Sequence, residues 1–167
     1  MTIIFKLKST EAYVIKILAE LLSNNIKTGC FCIDTTGIEL CQMDHHRRVL
    51  INLKMHANKF PTYKFNSKKM FLGIHLPHFH KMLKSIKKKD SIELYIDDET
   101  PTDLYIKVIP KENNRVTTST IKIQPAQNID TDIPTGYIKP IIVSSSEFQK
   151  MIKDMGNKIG RAHVWTP

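Results

Sequence analysis

The sequence predicts an α+β fold in which helices lie on one face of antiparallel sheets. Short segments with the two-residue alternation of β-strands fill most of residues 1–123, and turns connect them. Two segments with the 3.6-residue periodicity of amphipathic helices interrupt these strands. This order is expected when two helices cover one side of antiparallel meanders.

The first predicted elements are a strand and a helix. Ile3–Leu7 alternates like a short strand, and a helix is expected to run from there to about Asn24. Ser9 or Thr10 suits the cap of this helix, and Glu11 lies in its first turn, where a negative charge is favourable. The residues predicted to face the core are Val14, Ile17, Leu18 and Leu21, with Lys16 outside.

Eight more strands are predicted to complete the fold. They are Ile26–Ile33, Gly37–Gln42, Val49–Met55, Phe60–Phe65, Met70–Ile74, Ser91–Ile96, Asp103–Ile109 and Arg115–Ile123. The turn Thr35–Gly37 makes the first two a hairpin, and the alternation in Val49–Met55 predicts one clearly buried face. Arg115–Ile123 is rich in threonine and lightly apolar, as expected of an edge strand.

A basic helix is predicted within Leu76–Asp90, LPHFHKMLKSIKKKD, and Pro77 suits its first turn. Its apolar positions are Phe79, Met82, Leu83 and Ile86, and the lysines on the opposite side are Lys81, Lys84 and Lys88. A row of lysines is most often a solvated helix face.

Repetition of this helix favours a binding surface over a merely solvated face. Glu147–Met155, EFQKMIKDM, is similar to HFHKMLKSI in the basic helix, and the first helix is a weaker copy. The apolar stripe of the late copy comprises Phe148, Met151, Ile152 and Met155. The corresponding lysines of the three helices are Lys16, Lys81, Lys84, Lys150 and Lys153. Helices that point lysines the same way predict a surface for a polyanion.

The overall charge agrees with an anionic partner. The 167 residues include 25 Lys and Arg against 16 Asp and Glu, which gives a formal net charge of +9. Nucleic acid is the first expectation for such an excess, and an acidic membrane surface is the second. The sequence has no apolar run long enough to span a bilayer and no signal-peptide pattern, so we expect a soluble, non-exported chain without a membrane partner.

Three cysteines, Cys30, Cys32 and Cys41, fit a reducing compartment and are expected to be buried thiols. A metal site is the alternative, given the nearby His45 and His46, but no second ligand pair has zinc-type spacing. No cofactor is implied.

The sequence lacks the signatures of common enzyme classes. It contains no Gly-rich phosphate loop, no G-x-S-x-G and no H-E-x-x-H. We therefore expect a binding protein. A simple basic nucleic-acid module remains an alternative, although no aromatic RNA-binding pattern or recognition helix stands out.

The later part of the chain predicts a change of domain. Residues 1–123 form the first domain, 124–139 a connector, 140–158 the start of a second domain, and 159–167 a tail. Pro140–Val143 is expected to begin a strand, and Ser146 with Gln149 to form a capping box for the last helix. The tail, IGRAHVWTP, resembles a translated sequencing adapter and is expected to be non-native, with a divergent native loop as the alternative.

Four segments carry a resemblance to a known family. Gly37–Leu53, GIELCQMDHHRRVLINL, resembles the signature of sliding clamps of the proliferating cell nuclear antigen family. The resemblance continues through MFLGIHLPHFHKMLK, the connector with its Ile-Pro and Tyr, and SSSEFQKMIKDM, and it spans about Ile3 to Asn157.

This resemblance implies a DNA polymerase processivity factor that is not an enzyme. Family members form rings of three two-domain chains whose helices line a hole around duplex DNA. Lys16, Lys81, Lys84, Lys150 and Lys153 match basic residues of that inner surface, and Lys88 joins them by spacing alone. The implied partners are double-stranded DNA, DNA polymerase and a clamp loader, in the nucleus or a viral replication compartment. A subunit of a damage-signalling ring is the alternative.

The resemblance also implies a second site, an apolar pocket beneath the connector that binds short peptides of replication and repair proteins. The matching residues are Met43, Arg47, Leu50, Ile133, Pro134 and Tyr137. Arg48 replaces a usual valine beside this pocket. Because most of a second domain is absent from the sequence, Arg115–Ile123 is expected to lack its strand partner, and a ring of such chains is not expected to close.

Overall fold

Strands dominate the first of two units in the computed structural model. The units are Met1–Thr131 and Asp132–Pro167. The structure describes residues 2–112, 115–126, 136 and 141–159. Most of the predicted connector and nearly all of the predicted tail therefore lie outside the described residues.

The first unit alternates strands with two helices. Its elements in chain order are β1 Ile3–Ser9, α1 Ala12–Asn25, β2 Thr28–Ile33, β3 Gly37–Met43, β4 Leu50–His56, a 3-10 turn Ala57–Lys59, β5 Thr62–Phe65, β6 Met70–His75, α2 Leu76–Leu83, β7 Ser91–Asp97, β8 Asp103–Ile109, β9 Thr117–Lys122 and β10 Gln124–Pro125. In the second unit the structure describes one helix, α3 Ser145–Ile159.

The strands form two antiparallel sheets of five strands each. One has the order β5-β1-β7-β8-β9 and the other β10-β6-β2-β3-β4. The predicted α+β class is confirmed, as are the β2–β3 hairpin and the edge position of β9. The alternation did not reveal the division into two sheets, because it shows which residues share a face and not which strands pair.

The core joins both sheets to α1 and α2. Its largest fully buried side chains are Phe5, Leu7, Ile33, Leu40, Leu76, Leu83, Ile92, Ile96, Leu104 and Ile106. Most lie on strands that alternate between buried and partly exposed residues, and two come from α2. The face of α2 that carries them is thereby fixed by the core.

The predicted apolar stripe of α1 is rotated by part of a helical turn from the face that is buried. Val14 and Leu21 are each 58% exposed, whereas Ala19 and Leu22 are buried. The buried stripe is Ala12, Ala19 and Leu22, with Ile15 and Leu18 packed partly against the core.

The start of α1 also differs from the prediction. Glu11 precedes the helix and does not lie in its first turn. Ser9 Oγ accepts the Glu11 backbone N–H at 3.1 Å, outside the helix proper, and no side chain caps α1.

Several predicted strand ends move for reasons visible in the backbone. The strand predicted from Ile26 begins at Thr28, because Ile26 ends α1 by donating its N–H to Leu22 O at 2.8 Å. The predicted buried face of β4 is only half-buried, because β4 is an edge strand. Gln124–Pro125, predicted as linker, pairs with β6 as a short edge strand.

The beginning of α3 corrects two predictions. Residues 141–143 form no strand, and Ile141 is 92% exposed. The Ser144 hydroxyl caps this helix, whereas a capping box of Ser146 and Gln149 was predicted. Ser144 Oγ accepts the Glu147 N–H at 3.2 Å and donates to Glu147 Oε2 at 2.9 Å.

Tyr63 links the two sheets. From β5 its hydroxyl reaches Asp34 O at 2.6 Å and Gly37 O at 2.7 Å, in the β2–β3 turn. Its ring also lies edge-on to Phe5, with the centroids 5.8 Å apart. We expect Tyr63→Phe to lower the free energy of unfolding by about 1 kcal/mol, measured by urea titration.

The matched control is Tyr95→Phe. The Tyr95 hydroxyl makes no hydrogen bond to the described residues, so its removal should change stability little.

Burial raises the pKa of Tyr63 above its ordinary value of 10.0, with smaller contributions from Asp34 and Cys32. The folded protein therefore holds this proton more tightly, so stability should fall as the pH rises above about 10. That fall should be smaller in Tyr63→Phe; equal pH profiles would contradict this role.

Candidate nucleic-acid interface and basic loop

The two helices of the first unit form one packed layer. Contacts between α1 and α2 include a 3.4 Å hydrogen bond between Ser23 Oγ and His80 Nδ1. Phe79 and Leu83 bury the inner face of α2, and Met82 is half-buried. Lys81 and Lys84 are exposed on the other face, as the apolar spacing predicted.

The basic helix is shorter than predicted. It ends at Leu83, and the chain then turns so that Ile86 is buried while Lys88 lies in a turn. The Lys87 N–H donates to Asp90 Oδ2 at 2.8 Å, which fixes this turn. The placement of Lys88 by helical spacing was therefore wrong.

Lys16 closes the end of α2 and does not point freely outward. It is half-buried, and its Nζ donates to Lys84 O at 2.7 Å and to Ile86 O at 3.1 Å. A cation is favourable at a helix C-terminus, where the last carbonyls lack partners. Lys16 thus connects α1 to α2, and its ammonium is already engaged.

Replacing Lys16 by methionine tests this connection. We expect Lys16→Met to lower the free energy of unfolding by about 1 kcal/mol in urea titration, because two carbonyls lose a donor. It should reduce the salt dependence of DNA binding by less than one full phosphate contact, since the ammonium is engaged within the protein. A change equal to that of Lys81→Met would contradict this assignment.

Lys81 and Lys84 make no ion pair with any side chain that the structure describes. Their charges are therefore available to an external anion. In the second unit, Lys150 and Lys153 are exposed on α3. The apolar side chains predicted as the stripe of α3 are each about half exposed. Phe148, the first, is 55% exposed and Met155, the last, is 53% exposed.

Sequence reasoning missed further lysines in a groove near the end of α2. The groove encloses about 400 Å3. Its lining residues are Ser85, Lys87, Lys88, Lys89, Asp90, Val108, Pro110, Lys111, Glu112 and Thr117. The run Lys87–Lys89 was a visible signal, but its partner Lys111 reaches the groove from the β8–β9 loop, which no local pattern predicts.

The loop between β3 and β4 is the second charged feature. His45, His46, Arg47 and Arg48 are all exposed, and we call this segment the basic loop. Asp44, at its base, is buried.

The Asp44 carboxylate organises the basic loop from within. Its Oδ1 accepts the N–H groups of Arg48 at 2.6 Å and Val49 at 2.8 Å, and Oδ2 accepts that of His46 at 3.3 Å. These bonds, led by that from Val49, hold the pKa of Asp44 below its usual value. The carboxylate thus remains ionised at neutral pH and fixes the loop backbone.

The predicted peptide site is described only in part. Met43 and Leu50 are half-buried and face each other across β3 and β4, and Arg47 lies in the basic loop beside them. Ile133, Pro134 and Tyr137 lie outside the described residues. The peptide site therefore stays a prediction.

The cysteines were predicted to be buried thiols, and the structure corrects this, because all three are only partly buried. Burial raises the pKa of the Cys30 and Cys32 thiols, which favours the protonated form over the metal-binding thiolate. Within the described ranges, no group of three or more His, Cys, Asp or Glu side chains could hold a metal ion.

No helix in the described part of the chain is long and apolar enough to cross a membrane.

The geometry thus comprises two antiparallel sheets, a packed helix pair with exposed lysines and an exposed basic loop. Residues 4–133 match the family described as proliferating cell nuclear antigen, N-terminal domain. The chain belongs to the proliferating cell nuclear antigen family, and it has the α+β sliding-clamp fold.

The chain is similar to proteins of a virus, a eukaryote and an archaeon, and the last two carry names of this family. An uncharacterized protein of Invertebrate iridescent virus 6 is 29% identical over 165 residues, covering 87% of this chain and 54% of its own length. The proliferating cell nuclear antigen of Dictyostelium discoideum is 28% identical, with coverage of 90% and 58%. A DNA polymerase sliding clamp of Nitrosopumilus maritimus is 26% identical, with the same two coverages. The chain spans about half the length of the curated relatives it matches.

Proposed function

We propose that this chain provides the first domain, and the start of the second, of a sliding clamp that encircles duplex DNA and increases the processivity of a DNA polymerase. The observation that carries the proposal is the α2 face, where Lys81 and Lys84 are exposed and unpaired among the described residues. Membership of the family supports it, and so do relatives named DNA polymerase sliding clamp. The role is that of a scaffold and not of an enzyme.

Ammonium groups on a helix face suit contacts that permit sliding. They bind phosphates, which every base pair carries, so they provide affinity without reading sequence. Lys150 and Lys153 are proposed to contact phosphates from the second domain. The proposed domains are 1–123 and 140–158, joined by the connector 124–139, and the full-length protein would form a homotrimer.

The outer surface would dock polymerase, other replication and repair proteins, and the clamp loader. Met43, Leu50 and Arg47 are proposed to contribute to that site together with Ile133, Pro134 and Tyr137. A location in the nucleus or in a viral replication compartment follows from this role, and both eukaryotic and viral relatives support it.

Retention on closed DNA tests encirclement. The full-length protein, placed on a nicked circular plasmid by a clamp loader, should stay bound through gel filtration in high salt and should leave once the plasmid is linearised. Equal retention on circular and linear DNA would contradict encirclement and favour a non-encircling DNA-binding module. A ring that closes only with other clamp-like subunits would favour the damage-signalling alternative.

A further inference from the structure

We propose that the basic loop recognises acidic peptide segments, so that partner proteins carry Asp- or Glu-rich residues beside an apolar anchor. This inference rests on the proposed docking function and names the chemical class of its partners. The basic loop presents four consecutive exposed side chains, from His45 to Arg48.

Hydrogen bonds hold the backbone of the basic loop. Asp44 accepts the N–H groups of His46 and Arg48 in the loop and of Val49 directly after it, and its own N–H donates to Val49 O at 2.9 Å. His45 is held at the end of α1, where its Nδ1 lies 3.0 Å from Asn25 O, and its ring lies 3.8 Å from that of His46. Little conformational entropy would therefore be lost when a peptide binds.

Arg47 occupies a backbone conformation that arginine rarely adopts. Its φ is +55°, in the left-handed region that favours glycine or asparagine. The cost of such a conformation is retained where surrounding structure enforces it, often at a binding site. Here the Arg47 N–H donates to Asp44 O at 3.0 Å and the Arg48 N–H to Asp44 Oδ1, so the backbone is bonded on both sides of this φ, and both arginines are exposed.

The cations of the basic loop are available to a partner. The acidic side chain directly before the loop, Asp44, is buried and accepts backbone N–H groups. Neither Arg47 nor Arg48 forms an ion pair with a described residue. Arginine guanidinium groups bind carboxylates through two parallel hydrogen bonds, which suits Asp and Glu side chains.

Apolar neighbours favour a peptide over nucleic acid. Val49 is 50% exposed directly after the loop, and the half-buried Met43 and Leu50 follow on the paired strands. A peptide can place an apolar side chain there and carboxylates on the arginines. A phosphate backbone offers nothing to the apolar part.

Selection from a displayed library of random 12-residue peptides tests the inference. Wild-type protein should enrich peptides that combine large apolar residues with Asp or Glu. Arg47→Gln/Arg48→Gln should lose the acidic enrichment, and Lys64→Gln/Lys68→Gln, which removes two exposed charges from another region, should keep it. For one selected peptide, fluorescence anisotropy should show about fivefold weaker binding to the loop variant, as expected for two exposed ion pairs.

The outcomes separate this inference from the docking proposal. Apolar peptides enriched without acidic residues would overturn the inference and leave docking intact. No enrichment of any peptide would overturn both. If the loop variant instead loses affinity for duplex DNA and keeps its peptides, the loop binds nucleic acid and the inference is wrong. Thermal unfolding at the wild-type temperature excludes misfolding of the variant as the cause.

Discussion

Replacement of Lys81 and Lys84 by alanine is expected to weaken binding to duplex DNA on the order of fiftyfold at 0.1 M salt, because two phosphate contacts are lost. Each contact contributes roughly 0.9 to the slope of log affinity against log salt, so the slope should become shallower by about 1.8. Fluorescence anisotropy with a labelled 20-base-pair duplex, repeated at several salt concentrations, measures both quantities. The fold should be unaffected, since both side chains are exposed.

The matched control removes the same charge elsewhere. Lys64 and Lys68 are exposed at β5 and the turn after it, and neither pairs with a described acidic residue. Lys64→Ala/Lys68→Ala lowers the net charge equally but should leave the salt slope nearly unchanged. If both double variants lost the same affinity for duplex DNA, binding would depend only on net charge, and the α2 surface would have no special role.

Leu22→Ala is expected to lower the free energy of unfolding by about 3 kcal/mol, because it leaves a cavity in the core. Leu22 is 5% exposed and packs with residues of both sheets and α2. The neighbouring Leu21 is 58% exposed, so Leu21→Ala should change stability by less than about 0.5 kcal/mol. Urea titration of both variants measures the difference.

This pair is well matched, since both changes remove the same atoms from adjacent positions of one helix. Helix propensity therefore changes equally in the two variants. If Leu21→Ala proved the more harmful, α1 would face the core as its apolar spacing first predicted, and the position of Lys16 against α2 would be wrong as well.

Most of the strands were predictable because they carry their own local signal. Asp103–Ile109 alternates cleanly and was predicted to the residue, and the β2–β3 hairpin follows from its turn. The buried face of α2 was equally clear, because Phe79 and Leu83 leave a single way to bury apolar surface. Lys81 and Lys84 then follow from helical geometry alone.

Other features depend on contacts distant in sequence. The apolar positions of α1 are so numerous that several stripes fit, and packing against α2 and the sheets selects the one through Ala19. The end of α2 depends on Lys16, 68 residues earlier than Lys84. The pairing of β10 with β6 and the groove at Lys111 likewise come from separate parts of the chain.

The short length of α2 affects how fast the proposed clamp would diffuse along DNA. Its eight residues span about 12 Å, and the proposed clamp would contact few phosphates at a time through Lys81 and Lys84, which follows the last helical residue. In the proposed clamp, so few contacts would give shallow energy wells, and thermal motion alone would carry the ring from one base-pair step to the next. A longer helix with more lysines would slow that diffusion.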